Sequence, residues 1–423
     1  MQLPEVFTEQ TRRIMGEELF AQYLASFDEP TPVSIRINPF KTSILTSHDQ
    51  ISPLSGLSEC EKVPWCEHGH YLPSRPNFTF DPLLHAGCYY VQEASSMFLA
   101  QIMKQHVKGD VTMLDLCAAP GGKSTCARTY LTDQSVLICN EPIRTRANIL
   151  YENVTKFGVQ NTFVTNCYPA DFKKSKLKFD VILADVPCSG EGMFRKDNAT
   201  IGEWSEQNVE KCWRLQREIV ADIWGNLADG GLLIYSTCTF NTKEDEENVQ
   251  WICRELGAEC LSVETKPEWN IVGSLLEGFN EPVYRFIPGH ARGEGIFFCV
   301  MRKHGVCTAN QKPCVSKQLA TLHQITPDLL AKASSVAEAL STTIDRTQFT
   351  EAELNTEQAI AYLRREALTL PKDTPKGMVL VTYCNVPLGF AKNIGNRANN
   401  LYPQPWAIRK ELRQSQSPTP AKE

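Results

Sequence analysis

In the middle of the chain, short apolar runs take turns with stretches in which apolar residues recur at helical spacing. Short apolar runs typical of buried strands lie at 111–116, 135–140, 162–165, 179–184 and 232–236. Stretches with helical spacing follow them, at 123–131, 142–157, 205–228 and 243–256. Strands that alternate with helices indicate βαβ units, so the pattern predicts an α/β fold with a doubly wound, Rossmann-like sheet. Apolar segments at 283–287 and 296–301 are predicted to close the sheet in the antiparallel direction.

The flanking regions have a different pattern. The N-terminal region is predicted to contain a helix over 1–28, a strand at 34–38, loops with short strands over 46–84, and a helix from Ala94 to Gln105. After Lys303 the pattern predicts helices near 327–341 and 356–366, then strands at 379–383 and 388–391. We therefore expect five parts: an N-terminal region at 1–85, a central α/β domain at 86–303, a polar linker at 304–326, a C-terminal region at 327–413, and a disordered tail at 414–423.

Composition and charge exclude several classes of protein. The 423 residues are 42% hydrophobic and 22% charged, with a net charge of −6, so the chain is neither a polycation nor disordered throughout. No apolar run approaches the roughly 18 residues of a membrane span, and the first residues do not form a secretory signal. We expect a cytoplasmic, monomeric protein that is not attached to a membrane.

The chain has 16 cysteines, but no two of them form a C-x-x-C pair. This spacing argues against zinc ribbons and thioredoxin-type redox sites. Cys60, Cys66, His68 and His70 lie close together in sequence, but their spacing fits no standard zinc site. We interpret them as part of a surface loop and predict no metal.

The first strand of the regular pattern leads into a glycine-rich turn, Asp115-Leu116-Cys117-Ala118-Ala119-Pro120-Gly121-Gly122-Lys123-Ser124. A phosphate-binding P-loop would need glycine where Cys117 stands. Small residues after the first strand of such a sheet still allow a nucleotide-like cofactor to approach, and Glu141 ends the second strand, where a carboxylate can accept ribose hydroxyls. Because G-x-G-x-x-G is absent, the cofactor predicted for this turn is S-adenosylmethionine. The predicted cofactor-binding residues are Cys117, Ala118, Ala119, Pro120, Gly121, Gly122, Lys123 and Glu141.

Two further strand ends carry cysteines. The fourth strand runs into Asp185-Val186-Pro187-Cys188, and the fifth into Ser236-Thr237-Cys238-Thr239. Because ligands bind at the carboxyl ends of the strands in a doubly wound sheet, both cysteines are predicted to lie at one rim with the cofactor turn.

These three segments resemble the signatures of the Sun family of RNA cytosine-C5 methyltransferases, in the family's order. The likeness extends to Ser34–Lys41, Tyr90–Met97, Arg195–Asp197 and Gly293–Phe298, and covers roughly residues 30–303. The resemblance implies that Cys238 attacks the cytosine ring and that Cys188 assists proton removal and release. It also implies that Asp185 contacts both the cytosine and the methionine end of the cofactor. Lys123 is placed to support the site electrostatically.

The chemistry accounts for these residue types. C5 of cytosine is a poor nucleophile, and a thiolate that adds at C6 makes C5 able to attack a methyl sulfonium. Negative charge develops towards N3, so a group that protonates or hydrogen-bonds N3 lowers the barrier.

The C-terminal region resembles the bacterial small-subunit rRNA branch of the family at Gly389–Arg397 and Tyr402-Pro403, which implies a PUA-like module. Residues 391–410 contain no acidic residue, and their basic residues stand among aromatic ones that suit stacking on RNA bases: Lys392, Arg397, Tyr402, Trp406, Arg409 and Lys410. With the N-terminal region as a second RNA-recognition region, we expect 16S rRNA, free or in an assembled small subunit, as the substrate. The second choice is tRNA.

Three questions stay open from the sequence. Pro187-Cys188 with Glu247-Asn248-Val249 also fits a DNA cytosine-C5 methyltransferase, although a solvated helix start explains the second motif. A catalytically silent RNA-binding assembly factor on the same fold is the alternative from another class. Where the family has an aspartate after the third strand, this chain has Tyr168, so the adenine contact could be Asn166 or Tyr168.

Overall fold

The computed structural model describes residues 3–43, 52–306, 315–326 and 333–410. The elements of its N-terminal part are α1 (Glu5–Ala25), β1 (Val33–Ile37), α2 (Pro39–Thr42), β2 (Gly69–Leu72), α3 (Pro82–His85) and β3 (Tyr89–Val91). Gly16 interrupts α1 with φ 73° and ψ 168°, a conformation that glycine adopts without a steric penalty. The three strands pair antiparallel in the order β2-β1-β3.

This small sheet overturns the interpretation of the cysteine and histidine segment as a surface loop. Its β2 pairs with β1, and Trp65 and Cys66 just before it are buried in the main core. The segment folds inward because these side chains remove apolar surface from water. In the part of the chain that the structure describes, no group of three or more His, Cys, Asp or Glu could hold a metal ion.

A buried arginine joins the small sheet to the central one. Arg36 of β1 donates from Nε to Gln92 Oε1 at 2.7 Å and from Nη2 to Thr125 Oγ1 at 2.6 Å. Thr125 belongs to the helix that follows the glycine-rich turn, so the N-terminal region is fixed against the predicted cofactor site.

The central part forms the predicted α/β fold. Its helices are α4 (Leu99–His106), α5 (Gly122–Thr129), α6 (Arg144–Phe157), α7 (Phe172–Ser175), α8 (Asn198–Glu203), α9 (Glu206–Trp224) and α10 (Glu246–Leu256). Its strands are β4 (Thr112–Asp115), β5 (Val136–Asn140), β6 (Thr162–Thr165), β7 (Phe179–Asp185), β8 (Leu227–Thr237), β9 (Ala258–Leu261), β10 (Tyr284–Phe286) and β11 (Ile296–Lys303).

Within the described residues these strands make one eight-stranded sheet in the order β10-β11-β8-β7-β4-β5-β6, with β9 paired to β11. The strands from β8 to β6 are parallel. As predicted, the closing pairs are antiparallel, β11 with β8 and β10 with β11. Buried residues pack on both faces, so strands such as β7 are apolar almost throughout. The parallel order brings the carboxyl ends of β4, β5, β7 and β8 to one edge.

The C-terminal part contains α11 (Val315–Leu319), α12 (Ala333–Leu340), β12 (Thr350–Glu353), α13 (Thr356–Leu363), β13 (Gly377–Tyr383), β14 (Val386–Asn393) and β15 (Ala398–Asn400). Its sheet has the order β12-β13-β14-β15, and the β13–β14 hairpin turns at Cys384 and Asn385, which have φ of 50° and 67°. Helix α12 packs on α6, and α13 packs on α3. This sheet is therefore fixed to both preceding parts of the chain.

Part of the segment predicted as a polar linker belongs to the central fold. Leu319, Leu322 and Ile325 are buried, and the Ile325 amide donates to the Val164 carbonyl at 2.9 Å. Residues 315–326 thus cover the exposed edge of β6, because an unpaired strand edge needs a partner. The predicted tail at 414–423 lies outside the described residues. No helix in the described ranges is long and apolar enough to cross a membrane.

Candidate active site

The glycine-rich turn between β4 and α5 is held by hydrogen bonds to neighbouring elements, one between backbone groups and two from side chains. The Ala118 amide donates to the Asn140 carbonyl at 2.8 Å, Arg146 donates to the Ala119 carbonyl at 3.1 Å, and Asn153 donates to the Pro120 carbonyl at 2.8 Å. These contacts keep the turn in one shape against α6.

The conformation of the turn requires its small residues. Gly121 has φ +114°, which disfavours any residue with a side chain. A Cβ on Gly122 would come within 3.1 Å of the Tyr90 ring. Burial raises the pKa of the Cys117 thiol well above its usual range, so this cysteine is a neutral part of the turn.

Two carboxylates lie next to the turn. Asp115 is fully buried, and its Oδ2 accepts a 2.6 Å hydrogen bond from Ser124. Burial raises the pKa of Asp115 to about 7 despite that bond, and its Oδ1 has no partner among the described residues. Glu141 follows β5 and is 1% exposed; its Oε1 accepts from the Ile143 amide at 2.9 Å.

A lysine and an aspartate connect the turn to the cysteine strands. Lys123 Nζ lies 2.8 Å from Asp185 Oδ2, and Ser236 donates to Asp185 Oδ1 at 2.6 Å. Burial by itself lowers the pKa of Lys123, but the Asp185 carboxylate raises it, and the net shift is upward. The pair therefore presents a charged amine at the start of α5 and a carboxylate at the end of β7.

The two cysteines come together as the strand order predicts. Cys188 Sγ and Cys238 Sγ are 2.9 Å apart, and the Cys238 amide donates to Cys188 Sγ at 3.2 Å. Both are free thiols and partly exposed. The hydrogen bond to Cys238, together with burial, raises the pKa of Cys188. The structure thus brings Cys188, Cys238, Asp185 and Lys123 into one cluster beside the turn.

Sequence reasoning missed a set of polar residues behind the thiols: the buried Ser189, Glu191 and Glu244, and the half-buried Asn241. The Ser189 amide and Gln216 both donate to Glu244 Oε2, at 3.0 and 2.7 Å. Burial raises the pKa of Glu244 to about 7. Their position within six residues after a cysteine was the available signal, but their contacts join segments about 50 residues apart.

The interpretation of Glu247-Asn248-Val249 as part of a solvated helix start is wrong. Glu244, Asp245 and Glu246 are buried, and Arg285 pairs with Asp245 at 3.0 Å and with Glu246 at 2.8 Å. Asn248 donates to Gln216 Oε1 at 2.7 Å. The segment is a buried polar cluster, and the pairing of its charges offsets the cost of their burial.

The fold and this site define a class, the Rossmann-fold methyltransferases. A crystal structure of a methyltransferase homologue from Pyrococcus horikoshii is similar to this chain with a TM-score of 0.58 and 24% identity, over 71% of this chain and 95% of that one. At that identity the likeness concerns the fold.

Family comparisons narrow the class. The sequence model of 16S rRNA methyltransferase RsmB/F matches residues 101–302, that of the N-terminal domain of RsmF matches 3–94, and that of the RsmF PUA domain matches 349–408. Ribosomal RNA small subunit methyltransferase F of Photobacterium profundum is 30% identical over 364 residues, which are 83% of this chain and 74% of that protein. The chain belongs to the RsmB/F family.

A second relative shows how much length is shared. Ribosomal RNA small subunit methyltransferase F of Pectobacterium atrosepticum is 31% identical over 316 residues, 72% of this chain. The matched part spans 63% of that relative, which is less than two thirds of its length.

Proposed function

We propose that the chain transfers a methyl group from S-adenosylmethionine to C5 of a cytosine in 16S rRNA, through a bond between Cys238 and C6 of the base. The observation that carries this proposal is the pair of thiols 2.9 Å apart at the ends of β7 and β8, beside the Asp185–Lys123 pair. The relatives named as small-subunit rRNA methyltransferases favour rRNA over tRNA as the substrate. Transfer RNA is the second candidate.

The residues at the turn fit S-adenosylmethionine. The buried Glu141 carboxylate stands after β5, where ribose hydroxyls can donate to it, and the unpartnered Asp115 Oδ1 is a second acceptor at the end of the neighbouring strand β4. When bound, S-adenosylmethionine supplies an electrophilic methyl group. Cys117, Ala118, Ala119, Pro120, Gly121, Gly122, Lys123, Glu141 and Asp185 would line its site.

The side chain that meets the adenine is better assigned to Tyr168 than to Asn166. Asn166 Nδ2 donates to the carbonyls of Glu141 and Pro142, both at 2.8 Å, so its N–H groups are engaged and only its Oδ1 can accept from an adenine amino group. Tyr168 is 67% exposed, and Ile143, two residues after Glu141, is 52% exposed. Exposed apolar surface of this kind suits a flat heterocycle.

The protein groups divide the chemistry between them. The Cys238 thiolate adds to C6, and this makes C5 nucleophilic. Asp185, which accepts from Lys123 and Ser236, lies at the N3 edge and passes a proton from the Lys123 ammonium to N3, which neutralises the negative charge that develops there. The proton returns when the Cys238–C6 bond breaks. Cys188 then assists removal of the C5 proton, after which the Cys238–C6 bond breaks.

Alanine variants of the two cysteines should behave differently. Cys238→Ala should abolish methyl transfer to 16S rRNA while it still binds S-adenosylmethionine, because the thiolate is needed for addition at C6. Cys188→Ala should still add and methylate but release slowly, so the RNA should stay bonded to Cys238 on a denaturing gel. Incorporation of radiolabelled methyl groups into 16S rRNA and tRNA from cells lacking the protein measures the first effect.

The double variant Cys188→Ala, Cys238→Ala is the control, and it should give no covalent band. A covalent band in the double variant would assign the attack to another residue. Normal turnover by Cys188→Ala would make Cys188 structural. If the unaltered protein methylates tRNA but not 16S rRNA, the proposed substrate is wrong and tRNA takes its place.

A further inference from the structure

The two cysteines lie on loops that the central sheet does not hold together. The paired register of β7 and β8 ends at Asp185 and Ser236, followed by a 3.0 Å bond from the Val186 amide to the Ser236 carbonyl. Cys188 and Cys238 come after this point. Their separation therefore depends on contacts between the loops themselves.

One buried carboxylate spans the two loops. Glu191, three residues after Cys188, accepts at Oε2 from the backbone amides of Phe240 and Asn241, at 2.8 and 3.0 Å. These amides follow Cys238 by two and three residues. At Oε1, Glu191 accepts from Trp204 Nε1 and Asn241 Nδ2, both at 3.0 Å. The side chain is 2% exposed, so all four acceptor positions of the carboxylate are used inside the protein.

The glycines on either side of Glu191 allow this contact. Gly190 has φ +78°, and this left-handed turn directs the chain back towards the Cys238 loop. The Gly192 amide donates to the Cys238 carbonyl at 2.8 Å, and a Cβ on Gly192 would come within 2.4 Å of the Gly295 carbonyl oxygen. The sequence Gly-Glu-Gly thus brings both backbone and carboxylate of one loop onto the other.

We propose that Glu191 is a positioning residue that sets the distance between the two thiols by holding the amides after Cys238. This inference rests on the proposed function, because it explains how Cys188 is held next to Cys238, the proposed nucleophile. In the described part of the chain the hydrogen bonds of the Glu191 carboxylate go to Trp204, Phe240 and Asn241 rather than to a thiol, so Glu191 acts through the Cys238 loop. A misplacement of about 1 Å in such a site can cost about 100-fold in rate.

Glu191→Gln tests the role, since it keeps the shape but turns one acceptor oxygen into a donor that faces other N–H donors. We expect kcat for RNA methylation to fall by about 100-fold, with KM for S-adenosylmethionine nearly unchanged. Dibromobimane, which links two thiols by displacement of its two bromides, reports the geometry without RNA. Peptide mapping should show that the Cys188–Cys238 link forms at least about tenfold more slowly in Glu191→Gln.

Glu246→Gln is the matched control, because Glu246 is equally buried and its carboxylate bonds Arg285 and the Leu275 amide, which belong to neither cysteine loop. It should lower stability and leave the cross-linking rate and kcat unchanged. Glu191→Asp retains the charge on a shorter side chain. Compared with Glu191→Gln, it should therefore restore the stability of the protein more than the rate of cross-linking. Cys188→Ala should give no linked peptide.

Wild-type cross-linking and kcat in Glu191→Gln would overturn the inference, and so would equal losses in Glu246→Gln. Failure of the proposed function would look different. In that case the unaltered protein would methylate no RNA, yet Glu191→Gln would still slow the Cys188–Cys238 link, and the positioning role would stand without the reaction.

Discussion

At the scale of single residues, the carboxylates of the site differ in what satisfies them. Glu191 has four donors from the protein and no capacity left for a ligand. Glu141 is just as buried, but its hydrogen bond comes from the Ile143 amide, with Arg146 3.4 Å from the other oxygen. Glu141 therefore keeps lone pairs for a ligand, whereas Glu191 serves the fold of the site.

This difference predicts the effect of Glu141→Ala. Affinity for S-adenosylmethionine should weaken by about 1.5–3 kcal/mol, roughly tenfold to a hundredfold, the usual loss of hydrogen bonds to a charged group. Isothermal titration measures it. Glu152→Ala, which removes the carboxylate that pairs with Lys156 on α6, is the control. Unchanged affinity in Glu141→Ala would remove Glu141 from the ribose site.

At the scale of elements, the end of α6 is the place where the C-terminal part meets the central fold. Gly158 caps α6 with φ +80°, and its carbonyl accepts from the Thr342 amide at 2.9 Å, just after α12. A Cβ on Gly158 would lie 2.1 Å from the Leu340 carbonyl oxygen. Only glycine lets the two helices approach this closely.

Gly158→Ala should therefore destabilise the protein in two ways. The left-handed conformation costs a side chain about 1–2 kcal/mol, and the clash with α12 adds about 1–3 kcal/mol. Gly109→Ala is a matched control, because Gly109 has φ +69° with nothing within 4 Å of the added Cβ. Denaturant unfolding should show a larger loss in Gly158→Ala, with faster hydrogen exchange in α12. Equal losses would mean that the helices separate freely.

Sequence patterns predicted the elements whose signal is local and missed those that depend on distant partners. The central strands are continuous apolar runs, and strand order then placed Cys188 beside Cys238. The short β2 lies in a segment rich in Ser, Pro and Gly and forms only because β1 pairs with it. Leu319 and Leu322 stand among polar residues and are buried by the β6 edge. The contacts of Glu191 likewise join loops that no local pattern connects.

At the scale of the whole molecule, the prediction that Tyr402 and Trp406 stack on RNA bases is wrong. Tyr402 is 0% exposed and Trp406 5%, since both pack in the C-terminal core, where the Tyr362 and Tyr402 rings lie 5.5 Å apart. The basic residues Lys392, Arg397, Arg409 and Lys410 are exposed. This part of the chain can therefore offer RNA its charges but not these rings.

Reversal of two of those charges tests the electrostatic contribution of this region to RNA binding. Lys392→Glu with Arg397→Glu should weaken RNA binding and reduce the salt slope by about 0.7 for each phosphate that the protein no longer neutralises. Filter binding of 16S rRNA at several salt concentrations measures both quantities. The paired reversal Lys173→Glu, Lys174→Glu on α7 controls for net charge. An unchanged salt slope in the Lys392→Glu, Arg397→Glu variant would mean that RNA binds at another surface of the protein.

The antiparallel return of β11 has a consequence for synthesis on the ribosome. Strand β8, which ends just before Cys238, has β7 on one side and β11 on the other. Until β11 has been translated and inserted, a nascent chain presents β8 as a bare apolar edge that can pair with other chains. The sheet that supports both thiols therefore matures late, after residues up to Lys303 have left the exit tunnel.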